Sequence, residues 1–192
     1  ASRWETGSRK DKREVEMKLN AVVLKRVAAG VAAAIVLAFI GAVLFASCLK
    51  GKGVPDYGKD LVLDGLRDEV TVYRDRYAVP HIYAKNEHDL YLATGYCMAQ
   101  ERLWQMDLIR RATQGRLSEI FGEEMVDVDL LLRALRIEAK SMAVMARTDA
   151  AVTAAGMAFC DGVNQYIRKN RGNLPLEFTI LGYEPEEWKP VH

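Results

Sequence analysis

The sequence is short of the residues from which small catalytic and metal centres are usually built. Cys48, Cys97 and Cys160 are scattered through 192 residues with no CxxC pair, which excludes a zinc ribbon or a thioredoxin-like motif. The three histidines show no HExxH spacing, so the zinc-protease signature is missing too. No glycine-rich phosphate loop, carboxylate dyad or hydroxyl nucleophile with a neighbouring base stands out. Excess charge is also lacking: the formal net charge is +1. Residues 1–26 hold eight basic and four acidic side chains, so the remainder carries a surplus of three negative charges. A slightly acidic body has no electrostatic footprint for nucleic acid, which demands a basic patch or stripe.

What the chain does have, first, is an uncharged run. Val27 through Leu49 contains 23 residues without an ionisable side chain other than Cys48, about 34 Å of helix, enough to span a bilayer core. Residues 27–49 are therefore expected as a transmembrane anchor or signal. Lys18, Lys25 and Arg26 precede it, which keeps the N-terminus cytoplasmic and sends the body to the periplasmic or extracytoplasmic side. Lys50 and Lys52 oppose this weakly. Met17 has the look of a natural start, and residues 1–16 have the composition of a disordered or artefactual extension. Phe45-Ala46-Ser47-Cys48 resembles the bacterial lipoprotein signal, in which Cys48 would be lipidated after cleavage. The length of the run favours an uncleaved anchor, and both readings put the body in one compartment.

Residues 50–60 are rich in Gly, Pro and Asp and read as a linker; residues 61–192 form the body. Val70-Thr71-Val72-Tyr73 and His81-Ile82-Tyr83-Ala84 read as paired strands, with Pro80 at the first position of the second because it cannot donate to a ladder. A long helix is expected over about Glu87–Thr113, where Leu92, Tyr96, Ala99, Leu103, Met106 and Ile109 recur at steps of three and four. Gly115 suits its left-handed end. Asp127–Arg147 reads as a second helix with Val128, Leu131, Leu132 and Leu135 inward. A third is capped by Asp149, with Val152, Gly156, Phe159, Val163 and Tyr166 on one side. The class is α+β, mostly helical with a short strand pair.

Three constellations invite a chemical reading. His81 and His88 would lie on a strand and at a helix start, a poor arrangement for a shared metal. Outside the cytoplasm a Cys97–Cys160 disulfide is allowed; two small buried thiols is the simpler reading. Glu101, Arg102, Asp107, Arg110, Arg111, Arg116 and Glu119 form a dense charged set on an otherwise apolar helix. The choice of Arg over Lys favours buried, bidentate ion pairs, so packing is expected of them rather than catalysis. From the residues alone, a non-enzymatic, membrane-tethered scaffold or binding protein stands as the competing reading to an enzyme.

The order of short motifs adds to this. Val72-Tyr73-Arg74-Asp75, Val79-Pro80-His81-Ile82, Gly95-Tyr96, Ala99-Gln100-Glu101-Arg102-Leu103-Trp104-Gln105-Met106, Arg110-Arg111, Gly115-Arg116 and Glu119 resemble, in sequence, the N-terminal part of the penicillin acylase family. Gly162-Val163-Asn164, Leu174-Pro175-Leu176-Glu177-Phe178, Gly182-Tyr183-Glu184-Pro185 and Trp188 continue the resemblance to the last residue. Ala78 stands where the family usually has Gly, and the turn is expected to suit a residue with Cβ.

The resemblance implies an N-terminal-nucleophile hydrolase with an αββα sandwich, made from a precursor cut into α and β chains. The new N-terminal Ser of the β chain attacks an amide carbonyl, with its own α-amine as base. On this reading the chain is the front of the α chain, preceded by one transmembrane helix. The nucleophile, the acyl pocket and the calcium ligands of the complete enzyme lie beyond His192. No catalytic, cofactor-binding or metal-ligating residue is assigned here; Ser118 and Ser141 do not fit the family's cleavage site. Expected partners are the C-terminal β chain, a small N-acyl substrate and, through residues 27–49, the membrane; no nucleic acid is expected.

Overall fold

The computed structural model describes residues 5–49 and 51–192, with side chains for residues 24–47 and 51–192. Two units are distinguished, and the first ends at Gly51. It contains α1, Glu5–Leu49, whose stretch Leu24–Ser47 is long and apolar enough to cross a membrane or serve as a signal. Residues 5–16, within the stretch read as a disordered or artefactual extension, belong to this helix. Residues 1–4 and the side chain of Cys48 lie outside the described residues.

The second unit, Lys52–His192, is mostly helical with one strand pair. β1 (Thr71–Arg74) and β2 (Pro80–Tyr83) are antiparallel with Thr71 opposite Tyr83 and Arg74 opposite Pro80. Pro80 occupies the first strand position, as its missing N–H requires. Asp75 builds the connecting turn: its Oδ1 accepts from the N–H groups of Tyr77 at 2.8 Å and Val79 at 3.0 Å. Ala78 within that turn has φ 61°. The expectation of a conformation comfortable for a Cβ is therefore corrected: the turn is left-handed, and Ala78 sits where glycine fits without strain.

α2 runs Glu87–Gln114 and is closed at both ends by its sequence. Asn86 Oδ1 accepts from the N–H of Asp89 at 2.9 Å, and Gly115, at φ 63°, ends it in the left-handed cap. Leu92, Tyr96, Ala99, Leu103 and Met106 are buried as the spacing demands, but Ile109 is exposed. Two consecutive steps of three carry position 109 about 120° away from Leu103, whereas position 110 returns within about 20°. The inward place thus falls to Arg110.

α6 (Ala150–Lys169) is capped by Asp149, whose Oδ1 accepts from the N–H of Ala151 at 2.7 Å. It packs against α2 at near backbone contact: a Cβ on Gly95 would stand 2.0 Å from the Phe159 carbonyl oxygen, and one on Gly162 2.0 Å from that of Leu92. Around this crossing Leu103, Val163, Tyr166, Ile167, Leu174 and Phe178 make the core; fully burying such side chains contributes about 1.5–3 kcal/mol each. Val152, expected inward, is exposed. α7 (Leu176–Leu181) follows, and Cys97 and Cys160 are free and buried.

The single helix expected over Asp127–Arg147 is two. α3 (Ser118–Phe121) and a 3-10 turn (Glu123–Met125) lead into α4 (Val126–Ala134) and α5 (Ile137–Met145). Arg136, at φ 54°, breaks the run. Nor do Val128, Leu131 and Leu135 face inward; they are exposed, and Asp129 is the buried residue of α4. A carboxylate that serves two backbone donors of the preceding turn decides which side of α4 turns in, against its apolar pattern.

Two opposite substitutions test this backbone reading. In detergent solution, Ala78→Gly is expected to raise the stability of the 192-residue chain by about 0.5–1 kcal/mol by relieving the left-handed residue. Gly162→Ala is expected to lower it by about 3 kcal/mol or more through overpacking. Thermal unfolding followed by near-UV circular dichroism reads both; a stable Gly162→Ala would disprove the close crossing.

Candidate functional site

The dense charged set converges on the C-terminal half of α2. Asp107 is fully buried. Its Oδ1 accepts from Arg110 Nη2, and its Oδ2 accepts from Arg111 Nε at 3.0 Å. These are the i,i+3 and i,i+4 neighbours on one helix face. Both arginines are themselves almost entirely buried, at 3% and 4% exposure, so the cluster holds more positive than negative charge and requires further acceptors.

They come from two later segments. Arg111 Nη1 donates to Glu119 Oε2 at 2.7 Å. Arg110 Nη1 donates to the carbonyls of Glu186 and Glu187 at 3.2 and 3.3 Å. Each guanidinium also lies over an aromatic ring, Arg110 at 5.0 Å from the Trp188 centroid and Arg111 at 4.7 Å from that of Tyr183. At the rim Arg116 meets Glu119 through Nε at 2.7 Å and Nη2 at 2.8 Å, and meets Glu186 through Nη1 at 3.1 Å. Arg116 holds the Glu186 carboxyl down to about 2 despite some burial, and it holds Glu119 below the usual range.

The same device recurs twice. Asp129 accepts from the N–H groups of Leu117 at 2.7 Å and Ser118 at 2.8 Å, while Arg133 Nε reaches the Gly115 carbonyl at 2.8 Å. Burial raises the Asp129 pKa, and the donors of Ser118 and Leu117 outweigh it. Asp89, with no exposure, accepts from the N–H of Arg67 at 3.0 Å, that of Asp68 at 2.9 Å, and Asn86 Nδ2 at 2.7 Å. Burial again pushes its pKa up, and these donors with His88 hold it well below the usual range. Gln165 and Asp64 exchange two hydrogen bonds at 2.8 and 2.9 Å. Asp89 and Gln165 tie the 64–68 loop to α2 and α6, and Asp129 ties the 117–118 turn to α4.

Of the residues singled out from sequence, Asp107, Arg110, Arg111, Arg116 and Glu119 are brought together. Glu101 and Arg102 are exposed; Glu101 instead joins Arg74 at 2.9 Å and receives the Tyr57 hydroxyl at 2.9 Å. Arg102 marks a kink in α2, at φ −150° and ψ 32°. His81 stands 3.4 Å from Asp75 and His88 3.1 Å from Asp89, so the two serve different elements. Ser118 supplies its backbone to Asp129, and Ser141 lies on α5. Asp89, Asp129, Gln165 and Glu186 escaped sequence reasoning. Asn86-x-x-Asp89 carried a capping-box spacing that could have exposed one of them.

This arrangement builds rigidity. Beside it lies an uncovered apolar surface: Leu130, Leu131 and Leu135, with Met142 and Val144 of α5, are about half exposed or more.

The penicillin amidase family profile matches residues 69–192. The chain is 37% identical over 139 residues to penicillin acylase 2 proenzyme of Pseudomonas sp., covering 72% of this chain and 18% of that protein. It is 33% identical over 154 residues to acyl-homoserine lactone acylase QuiP of Pseudomonas putida, covering 79% and 19%. A thermostable penicillin G acylase from Alcaligenes faecalis superposes with a TM-score of 0.59 at 30% identity, over 64% of this chain and 67% of that one. The chain thus spans about a fifth of the length of the curated relatives it matches.

Asp107→Ala would leave two buried guanidinium groups without their shared carboxylate. A loss of about 3–5 kcal/mol is expected, measured by denaturant unfolding of the chain in detergent. The Arg116–Glu186 pair gives a pH signature. Its contribution is complete above the ordinary glutamate value of 4.5 and is lost as pH falls toward about 2. Both side chains are partly exposed, so screening keeps that contribution below about 1 kcal/mol. Glu186→Gln is therefore expected to lower the melting temperature slightly at pH 7 and to flatten its fall between pH 4.5 and 2.

Proposed function

The chain belongs to the penicillin amidase family, and from that premise we propose that it is the N-terminal part of an amidohydrolase precursor that cleaves an acyl group from an amide. In this reading the substrate is a β-lactam side chain, an acyl-homoserine lactone or a similar N-acyl compound. The nucleophile is the N-terminal Ser of a β chain released when the precursor is cut. A free α-amine titrates near pH 7.7–8, so it can take the hydroxyl proton at neutral pH without a histidine. Backbone and Asn groups stabilise the oxyanion.

The present residues supply the supporting wall of an αββα sandwich. The α2–α6 crossing and the Asp107 cluster hold it rigid, while the open faces of α4 and α5 receive the β chain. Calcium belongs to the complete enzyme. None of the residues described here is assigned to it. The apolar helix anchors the body on the periplasmic side, either uncleaved or, after cleavage, through a lipidated Cys48.

The observation that supports this most strongly is the 37% identity to a proenzyme across 139 residues, which make up only 18% of its length. The purified 192-residue chain is expected to hydrolyse neither a chromogenic N-acyl amide nor an acyl-homoserine lactone. Co-expression with the polypeptide encoded after His192 is expected to give turnover. Amide hydrolysis by the 192-residue chain alone would overturn the proposal.

A further inference from the structure

We propose that a hollow inside the second unit, bounded by α2, β1 and the 56–66 stretch, binds a small neutral molecule that presents a carbonyl oxygen from an apolar body of ring size. The stretch over the hollow is tied down on both sides. Near its start the Tyr57 hydroxyl donates to Glu101 Oε2 at 2.9 Å, and the Arg74 guanidinium lies 3.9 Å from the centroid of the Tyr57 ring. Near its end the Asp64 N–H donates to Gln165 Oε1 at 2.9 Å, and the Arg67 and Asp68 N–H groups that follow donate to Asp89. Between these ties a space of about 210 Å³ is left against α2. Protein interiors are normally packed without such gaps. An apolar cavity of about 150 Å³ takes up benzene, so this one has room for a substituted ring.

The lining selects the guest. Leu63, Leu66, Val72 and Ala93 supply its apolar part, and Arg74 and Gln100 supply donors. Gln100 is 9% exposed; its Oε1 is taken by Arg74 Nη2 at 2.9 Å, and its Nε2 makes no hydrogen bond among the described residues. Arg74 Nε is also buried without a partner among them. Buried donors are costly to leave unmet, and a carbonyl oxygen is the group that answers them. Charge favours a neutral molecule over an anion. Arg74 is paired with Glu101 at 2.9 Å and Lys59 with Asp56 at 2.9 Å, while Asp60 adds a further carboxylate to the lining. A carboxylate entering here would give up its water and meet no uncommitted cation.

The test titrates benzamide into the full chain in detergent solution and follows isotope-labelled leucine and valine methyl groups by NMR. Saturable shifts are expected at Leu63, Leu66 and Val72, with none at Leu130 and Leu131 on α4. Benzoate, of the same size but charged, is expected to bind about tenfold more weakly, and so is benzamide to Gln100→Met, which keeps the bulk and removes the donor. Ala93→Leu, which fills the hollow, is expected to abolish the shifts while the rest of the methyl spectrum stays in place. No shift at the three lining methyls of the parent chain, up to the solubility limit of benzamide, would overturn the proposal. Shifts that survive Ala93→Leu undiminished would overturn it too, and benzoate binding as tightly as benzamide would overturn the choice of a neutral guest.

Discussion

The body depends on one buried carboxylate. Asp107 has no exposure to water and answers to two arginines that have almost none, so a charge imbalance is locked into the C-terminal half of α2. Burying such groups is tolerable only where hydrogen bonds and counter-charges are complete. The chain supplies most of them from far away: Glu119 closes on Arg111, and the 183–188 stretch brings two carbonyls and two aromatic faces, while Arg110 Nε is left without a partner among the described residues. The path of the C-terminal tail is thereby fixed by electrostatics as much as by the apolar core. Arg and not Lys does this work because a planar guanidinium can donate along several edges while stacking on a ring.

Much of this was readable in the sequence, and the failures share a cause. The 3.6-residue pattern located α2 and its core residues, and Gly115 and Asp149 marked ends correctly because cap chemistry is local. The pattern misplaced Ile109 and the inner side of α4 because it counts apolar residues alone. At positions 107, 110, 111 and 129 the inward residues are charged, and for Arg110 the partners include carbonyls more than 70 residues away that no local window contains. The break at Arg136 was equally hidden, since neither Pro nor Gly announces it. Ala78 is the reverse case: the resemblance had flagged the position, and the observed φ of 61° supplies the reason glycine is usual there.

The functional reading has the same division. Membership of the family rests on matched residues from 69 onward, and the same residues explain stiffness in the body. The uncovered faces of α4 and α5 are where sequence and structure disagree most openly: apolar by pattern, outward by geometry. A helix kept amphipathic yet turned inside out is understandable when its apolar side has a partner beyond the chain in hand, and in the proposed enzyme that partner is the β chain.

The separation between Arg116 and Glu186, 70 residues along the chain, bears on the order in which the molecule can be assembled. α2 and α6 can zip together once residue 169 is available, since Gly95 and Gly162 need only the backbones of Phe159 and Leu92 on the facing helix. The guanidinium heads must stay hydrated until the 183–188 stretch arrives to receive them. While the polypeptide is being synthesised, the helix pair is the early event and the ionic clasp the late one, a built-in sequence of assembly steps.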